Sequence, residues 1–225
     1  MSSRPFLRGV LACAPIAASV VPFGVIAAVS AGEAGLSGLQ TAAMSIIVFA
    51  GAAQLASLEL AKSDAPALFV IGAALVVNLR FAMYSAALAR YVRLLPARFR
   101  AVMSYGLTDQ AFALAVPELE DGPIPRGGWF FLGAAATLWT AWQLGTLLGI
   151  ALGAAVPPEL SLDFCVALAF VALAVPNLRD RPTLGAGAAS VVVFLLASGL
   201  PYGLALVPAA ASGVAVGATL EAAAR

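Results

Sequence analysis

The sequence predicts an all-α, polytopic helical membrane protein. Three observations carry the prediction. Of the 225 residues, 62% are hydrophobic and only 10% are charged, a composition outside the range of soluble domains. Apolar runs of about 20 residues, the length that spans hydrocarbon, recur along the chain. The runs also lack the apolar–polar alternation of a transmembrane barrel. The expectation is a single integral membrane domain over residues 1–225, with about seven to eight apolar segments, some of them discontinuous, and short polar tails at 1–8 and 219–225.

Composition also removes function classes. There is no histidine, so imidazole metal ligands, imidazole proton relays and Ser-His nucleophiles are excluded. Cys13 and Cys165 lie far apart inside apolar runs and match no metal or redox spacing; both read as packing residues. The net charge of +1 and the lack of a basic tail give no sign of nucleic-acid binding. No phosphate-binding loop is present. No metal or cofactor is expected.

Segment one, Gly9 to Ala31, resembles a signal-peptide core but is too long for one, and reads as a retained span. Pro22-Phe23-Gly24 in its middle predicts a kink or break. Segment two, Leu36 to Leu60, holds Ser45 and then Phe49-Ala50-Gly51-Ala52-Ala53-Gln54. Gly51 and the alanines permit close approach or an unwound turn, and Gln54 is the deepest polar group there. An interhelical hydrogen bond is its structural reading.

Segment three, Ala65 to Ala89, carries Asn78-Leu79-Arg80. An arginine in mid-span costs about 2.5 kcal/mol or more and marks a functional site by default. Segment four, Ala101 to Val116, carries Thr108-Asp109-Gln110. Between them Arg90 to Arg100 reads as a loop centred on Leu95. Arg80 is 15 residues before Leu95 and Asp109 is 14 after it. Each charge thus sits nine or ten residues inside its own end, about 14 Å deep. The two share one level in an antiparallel hairpin, the spacing that an ion pair needs. Such a pair could equally be a structural lock between two helices.

Glu118 to Arg126 reads as an acidic, proline-broken loop. Segment five, Gly128 to Val156, opens with Trp129 as an interfacial anchor. Its Gly145, Gly149 and Gly153 make a smooth face for another helix, in this chain or in a second subunit. Pro157-Pro158-Glu159 is a break. Segment six runs from Leu160 to Val175, segment seven from Thr183 to Leu200, and segment eight from Tyr202 to Ala218. Asn78-Leu79-Arg80 recurs as Asn177-Leu178-Arg179, and Pro22-Phe23-Gly24 as Pro201-Tyr202-Gly203. These short matches are compatible with a weak internal repeat of the transporter type.

Arg4 and Arg8 place the amino terminus on the cytoplasmic side, and the four arginines of Arg90–Arg100 place that loop there too. Three apolar segments separate them, an odd number. One of the first two segments is therefore expected to be broken or re-entrant, near Pro22 or Gly51, unless one basic region violates the rule.

The ordered set Pro22-Phe23-Gly24, Phe49-Ala50-Gly51-Ala52-Ala53-Gln54, Asn78-Leu79-Arg80, Thr108-Asp109 and Leu162-Asp163-Phe164 resembles the AzlC-type large subunit of branched-chain amino acid exporters, over about residues 9–218. The resemblance implies a multi-pass protein of the bacterial inner membrane and a small AzlD-type membrane partner. It also implies export of branched-chain or other hydrophobic amino acids. Two departures stand out. Phe81 occupies a position where such sequences often carry histidine, and Gln110 one where they often carry glutamate.

These readings converge on a secondary transporter. Arg80 would hold a substrate carboxylate, aided by backbone N–H groups of broken helices near Gly24 and Gly51. Gln54, Asn78 and Asp109 would hold its ammonium. Asp109 would carry the coupling proton, because arginine stays protonated. The alternatives are a channel or carrier for another small solute, and an intramembrane enzyme or scaffold. The last lacks a recognisable nucleophile or metal cluster.

Overall fold

In a membrane helix, glycine and alanine on one face let a second backbone come close. That chemistry builds the core of this protein. The computed structural model describes residues 3–120, 124–153, 180–200 and 205–224, with 171, 175 and 178 between them. Nine helices and no strands occur among the described residues. They fall into two compact units, Met1–Gly51 with Asn78–Leu160, and Ala52–Val77 with Ser161–Arg225.

The first unit is built on α1 (Ser3–Glu33) and α7 (Ile124–Gly153). A Cβ on Gly24 would meet the Trp142 carbonyl oxygen at 2.8 Å, and one on Gly149 would meet that of Val25 at 2.5 Å. Gly9 faces Phe130 and Gly133 faces Phe6 in the same way. Contacts advance together along both chains, so the two helices run parallel. Both are long and apolar enough to cross a bilayer.

This packing corrects one expectation. Helix α1 runs unbroken through Pro15 and Pro22. Proline removes one backbone donor, but a neighbouring helix seated along the segment preserves the helical path. Here α7 packs against α1 on both sides of Pro22, at Gly9 and at Gly24 and Val25. Gly24 therefore packs against α7 at Trp142, Gly145 and Thr146, the level at which α2 ends. The glycine face of Gly145 and Gly149 is likewise taken by α1 rather than by a second subunit.

Segment two does break, near Gly51. A Ser37–Gln40 capping box opens α2 (Gly38–Val48), which ends at Phe49 in the left-handed region, φ 40°. Helix α3 follows over Gly51–Lys62. Against α7, Gly38 faces Ile150, whereas Ser45 bonds Thr146 at 2.8 Å. Helix α2 is therefore antiparallel to α7.

Segment four also breaks, which the apolar pattern did not predict. It forms α5 (Ala97–Tyr105) and α6 (Asp109–Glu120), separated by Gly106-Leu107-Thr108. The Thr108 hydroxyl accepts the Ala111 N–H at 3.2 Å and so caps α6. The loop expected over Arg90–Arg100 shrinks to Arg93–Pro96, since α4 (Ala67–Val92) runs on past Arg90 and α5 starts at Ala97. The acidic loop also contracts: α6 reaches Glu120 with Pro117 inside it, and α7 starts at Ile124.

Two ion pairs orient these elements. Arg8 bonds Glu118 at 2.5 Å, and Glu120 accepts from Arg90 at 3.2 Å and from the Tyr91 hydroxyl at 2.7 Å. Exposed pairs add little stability, but they place the start of α1 and the ends of α4 and α6 together. Here Trp129 meets Phe99 edge-on, with ring centroids 5.4 Å apart. Arg80 pairs with Asp109 and Arg90 with Glu120, so α4 and α6 are parallel. Helix α5 must then descend from this basic end and α6 return to it, a re-entrant hairpin. Of the elements between Arg8 and Arg90, only α1 and α4 are long and apolar enough to cross. With 11 and 12 residues, α2 and α3 are each about 17 Å long, short of a ~30 Å core. Two such helices between Arg8 and Arg90 make an even number, the parity that the arginine distribution favours.

In the second unit, α8 (Arg181–Ala197) and α9 (Leu206–Ala224) form an antiparallel pair, with Gly185 facing Leu220 and Gly213 facing Ser190. Asp180 caps α8, and the Thr183 N–H and hydroxyl hold its carboxyl below the usual range. Cys165, Leu162-Asp163-Phe164, Pro157-Pro158, Pro201-Tyr202-Gly203, Asn177 and Arg179 lie outside the described residues, as does most of segment six, so the repeat is not assigned.

Replacing Gly149 with leucine should separate α1 from α7. The melting temperature of the detergent-purified protein should fall by several degrees, matching an overpacking penalty of about 1–3 kcal/mol. Gly72→Leu, at a glycine with nothing within 4 Å, should leave the melting temperature unchanged.

Candidate functional site

Helical spacing places Arg80 and Tyr84 on one face of α4, one turn apart. Both reach the same carboxylate. The Arg80 guanidinium donates through Nη1 to Asp109 Oδ2, and the Tyr84 hydroxyl donates to Oδ1 at 2.7 Å. The Tyr84 ring stacks on Phe112 of α6 at 4.5 Å, and the Arg80 guanidinium lies 5.0 Å from the Phe81 ring centre. The spacing from Leu95 thus brought together the residues it predicted. The route differs, because Asp109 does not sit within a long helix. It opens α6 at a break, in the first turn, where unpaired N–H groups and the helix dipole favour a negative charge.

The pair is not sealed. The Arg80 side chain is 27% exposed and that of Asp109 38%. Both side chains of the pair thus keep part of their surface uncovered at the helix break.

A second polar cluster stands at the end of α2. A helix that stops inside a bilayer leaves carbonyl oxygens without partners. Here the Ser45 carbonyl accepts from Gln143 Nε2 at 3.3 Å, and the Ile46 carbonyl from the Tyr105 hydroxyl at 2.5 Å. Trp139 Nε1 donates to Tyr105 in turn, at 2.8 Å. The Phe49 and Tyr105 rings are 6.0 Å apart. The tips of two half-helices, α2 and α5, therefore meet; Tyr105 of α5 and Gln143 of α7 satisfy carbonyls of α2, and Trp139 of α7 bonds Tyr105. Asp109 follows Tyr105 by four residues, across the α5–α6 break.

The remaining predicted residues fall in different places. Gly51 lies against the Trp142 ring, where a Cβ would come within 2.7 Å of it. Its small size is what lets α3 start there. Asn78 precedes Arg80 by two residues and so points elsewhere on α4. Gln54 is buried in α3, which belongs mainly to the second unit. Gln54 Oε1, Asn78 Oδ1, Arg80 Nε and Trp142 Nε1 are buried atoms with no hydrogen-bond partner among the described residues. Tyr84, Tyr105, Trp139 and Gln143 escaped sequence reasoning. The i, i+4 spacing from Arg80 was a usable signal for Tyr84; for the other three, no local pattern pointed to the α2 tip. No cluster of metal-ligating side chains occurs among the described residues.

Comparison with known proteins agrees with this picture. The model of the family described as "AzlC protein" matches residues 15–156, a span that holds both polar clusters. An "Uncharacterized membrane protein" of Archaeoglobus fulgidus is 30% identical over 184 residues, covering 80% of this chain and 78% of that protein. "Inner membrane protein YgaZ" of Escherichia coli K12 is 24% identical over 195 residues, covering 84% and 80%. No solved structure matches. The breadth of the family match shows that this chain is a membrane protein of the AzlC family.

Proposed function

We propose that this protein is a secondary transporter that exports branched-chain or other hydrophobic amino acids across a bacterial inner membrane, coupled to a proton gradient. Membership of the AzlC family supports a transport-related role, and the inner-membrane relative supports the location. The observation that carries the mechanism is the partly open Arg80–Asp109 pair at the start of α6.

The mechanism is an exchange of carboxylates. The substrate carboxylate displaces Asp109 from Arg80, which keeps its charge throughout. Asp109, released from its cation, takes up the coupling proton. Tyr84 stays bonded to the released carboxyl group and keeps it near Arg80. Alanine and valine side chains would take the aliphatic part. When the proton leaves, Asp109 re-forms its pair and releases the substrate. A small AzlD-type membrane subunit completes the assembly.

Radiolabelled leucine flux in proteoliposomes, with and without a pH gradient, tests this reading. Gradient-driven leucine export is expected. Flux of leucine independent of any gradient would favour a channel, and absence of leucine flux would favour another solute or a non-transport role.

Asp109→Asn should abolish pH-driven export while leaving leucine–leucine exchange measurable. Unchanged pH dependence in that variant would move the proton to another group. Reconstitution with the small subunit should raise the rate well above that of this chain alone; equal rates would remove the partner from the mechanism.

A further inference from the structure

A half-open groove of about 320 Å³ runs between the last turns of α4 and helix α5. At the basic end of the first unit it is lined by Arg93 and Arg100, both exposed. Neither guanidinium belongs to an ion pair among the described residues, whereas Arg8, Arg80 and Arg90 all do. Below these cations the floor is apolar, made of the buried side chains Leu88, Met103 and Leu107. The groove ends at Ser85, eight residues and about 12 Å along α4 from Arg93. Beside it, Leu94 and Val102 are exposed apolar side chains. This change of polarity with depth is that of a membrane interface, with cations at the level of head groups and apolar surface beneath. Trp129 marks the same level. It meets Phe99, the residue before Arg100, and tryptophan gathers at head-group depth.

We propose that this groove binds one anionic phospholipid of the cytoplasmic leaflet, with its phosphate at Arg93 and Arg100 and the start of an acyl chain on Leu88, Met103 and Leu107. Charge complementarity selects this occupant. The basic end is cytoplasmic by the distribution of arginines, and anionic lipids give that leaflet its negative surface potential. The guanidinium fork suits a phosphate. A soluble anion would meet the arginines and leave the apolar floor uncovered; a neutral lipid would cover the floor and leave the charges unmatched. The volume is at the small end of ligand sites, about 300–1,000 Å³, so the rest of the chain stays in the bilayer through the open side. The two walls belong to α4 and α5, joined by the turn Arg93–Pro96. A bound lipid would therefore brace the basic end of α4, which is otherwise sparsely buried. The site stands whether or not the protein exports amino acids.

The test is native mass spectrometry of the full chain in neutral detergent, titrated with phosphatidylglycerol or phosphatidylcholine. The wild type should retain one phosphatidylglycerol about tenfold more tightly than phosphatidylcholine. Replacing Arg93 and Arg100 together by glutamine should remove that preference, since each cation near an anionic head group contributes severalfold. The charge-matched control is Arg4→Gln with Arg98→Gln, at exposed positions that do not line the groove. It should keep the preference to within about twofold. Phosphatidylglycerol should also raise the melting temperature of the wild type and of the control, and leave that of the Arg93 and Arg100 variant unmoved. Glycerol phosphate, a head without chains, should not displace the lipid. No preference in the wild type, or an equal loss in both double variants, would overturn the proposal. So would displacement by glycerol phosphate or by leucine, which would give the groove to a soluble anion. Self-association of the chain through the same two arginines, with lipid excluded, would give it to a second copy and overturn the proposal as well.

Discussion

A backbone carbonyl or N–H left bare in hydrocarbon costs several kcal/mol, and this constraint governs everything placed at the middle of the first unit. Helices α2 and α5 both stop partway through. Each leaves acceptor oxygens at its tip. Gln143 and the Tyr105–Trp139 pair meet those of α2. Thr108 meets a donor at the start of α6. The breaks are therefore supported features, and they create positions where a charged group can sit beside free helix ends.

That support depends on how α1 holds α7. Gly24, Gly145 and Gly149 let the two backbones approach until only hydrogen fits between them. Helix α7 is then fixed along its length and can present Trp139, Gln143 and Thr146 to α2 at set heights. By contrast, α4 is only sparsely buried. Polar contacts tie it to α6, through Arg80 and Tyr84 at one level and Arg90 and Tyr91 at another. An element held by few apolar contacts and several exchangeable polar ones can shift without dismantling a core. Substrate exchange at Arg80 would act on one of those ties directly.

The charge pair follows the same economy of contacts. Removing either partner alone would leave the other without its counter-charge, a change that costs more than the pair contributes. Tyr84 adds a neutral donor to Asp109, a bond that would remain if the guanidinium turned to another anion. The stacking of Tyr84 on Phe112 holds the hydroxyl in place.

Much of this was legible in the residues. Composition and run length determine a helical membrane protein, because only internally bonded helices suit long apolar stretches. The equal distances of Arg80 and Asp109 from Leu95 determine their meeting, since helical rise converts sequence separation into depth. The arginine distribution favoured an even number of crossings between Arg8 and Arg90, and Gly51 marked the neighbourhood of one break. Other features were decided only by tertiary structure. Pro22 bends nothing open because α7 packs on both sides of it, whereas the weaker signal of Gly106-Leu107-Thr108 ends α5. Gly24 became a packing contact, and Tyr105 became the cap of a helix some 60 residues away. Whether a helix continues or stops inside a membrane depends on which neighbour supplies the missing hydrogen bonds, and the identity of that neighbour is not a local property of the chain.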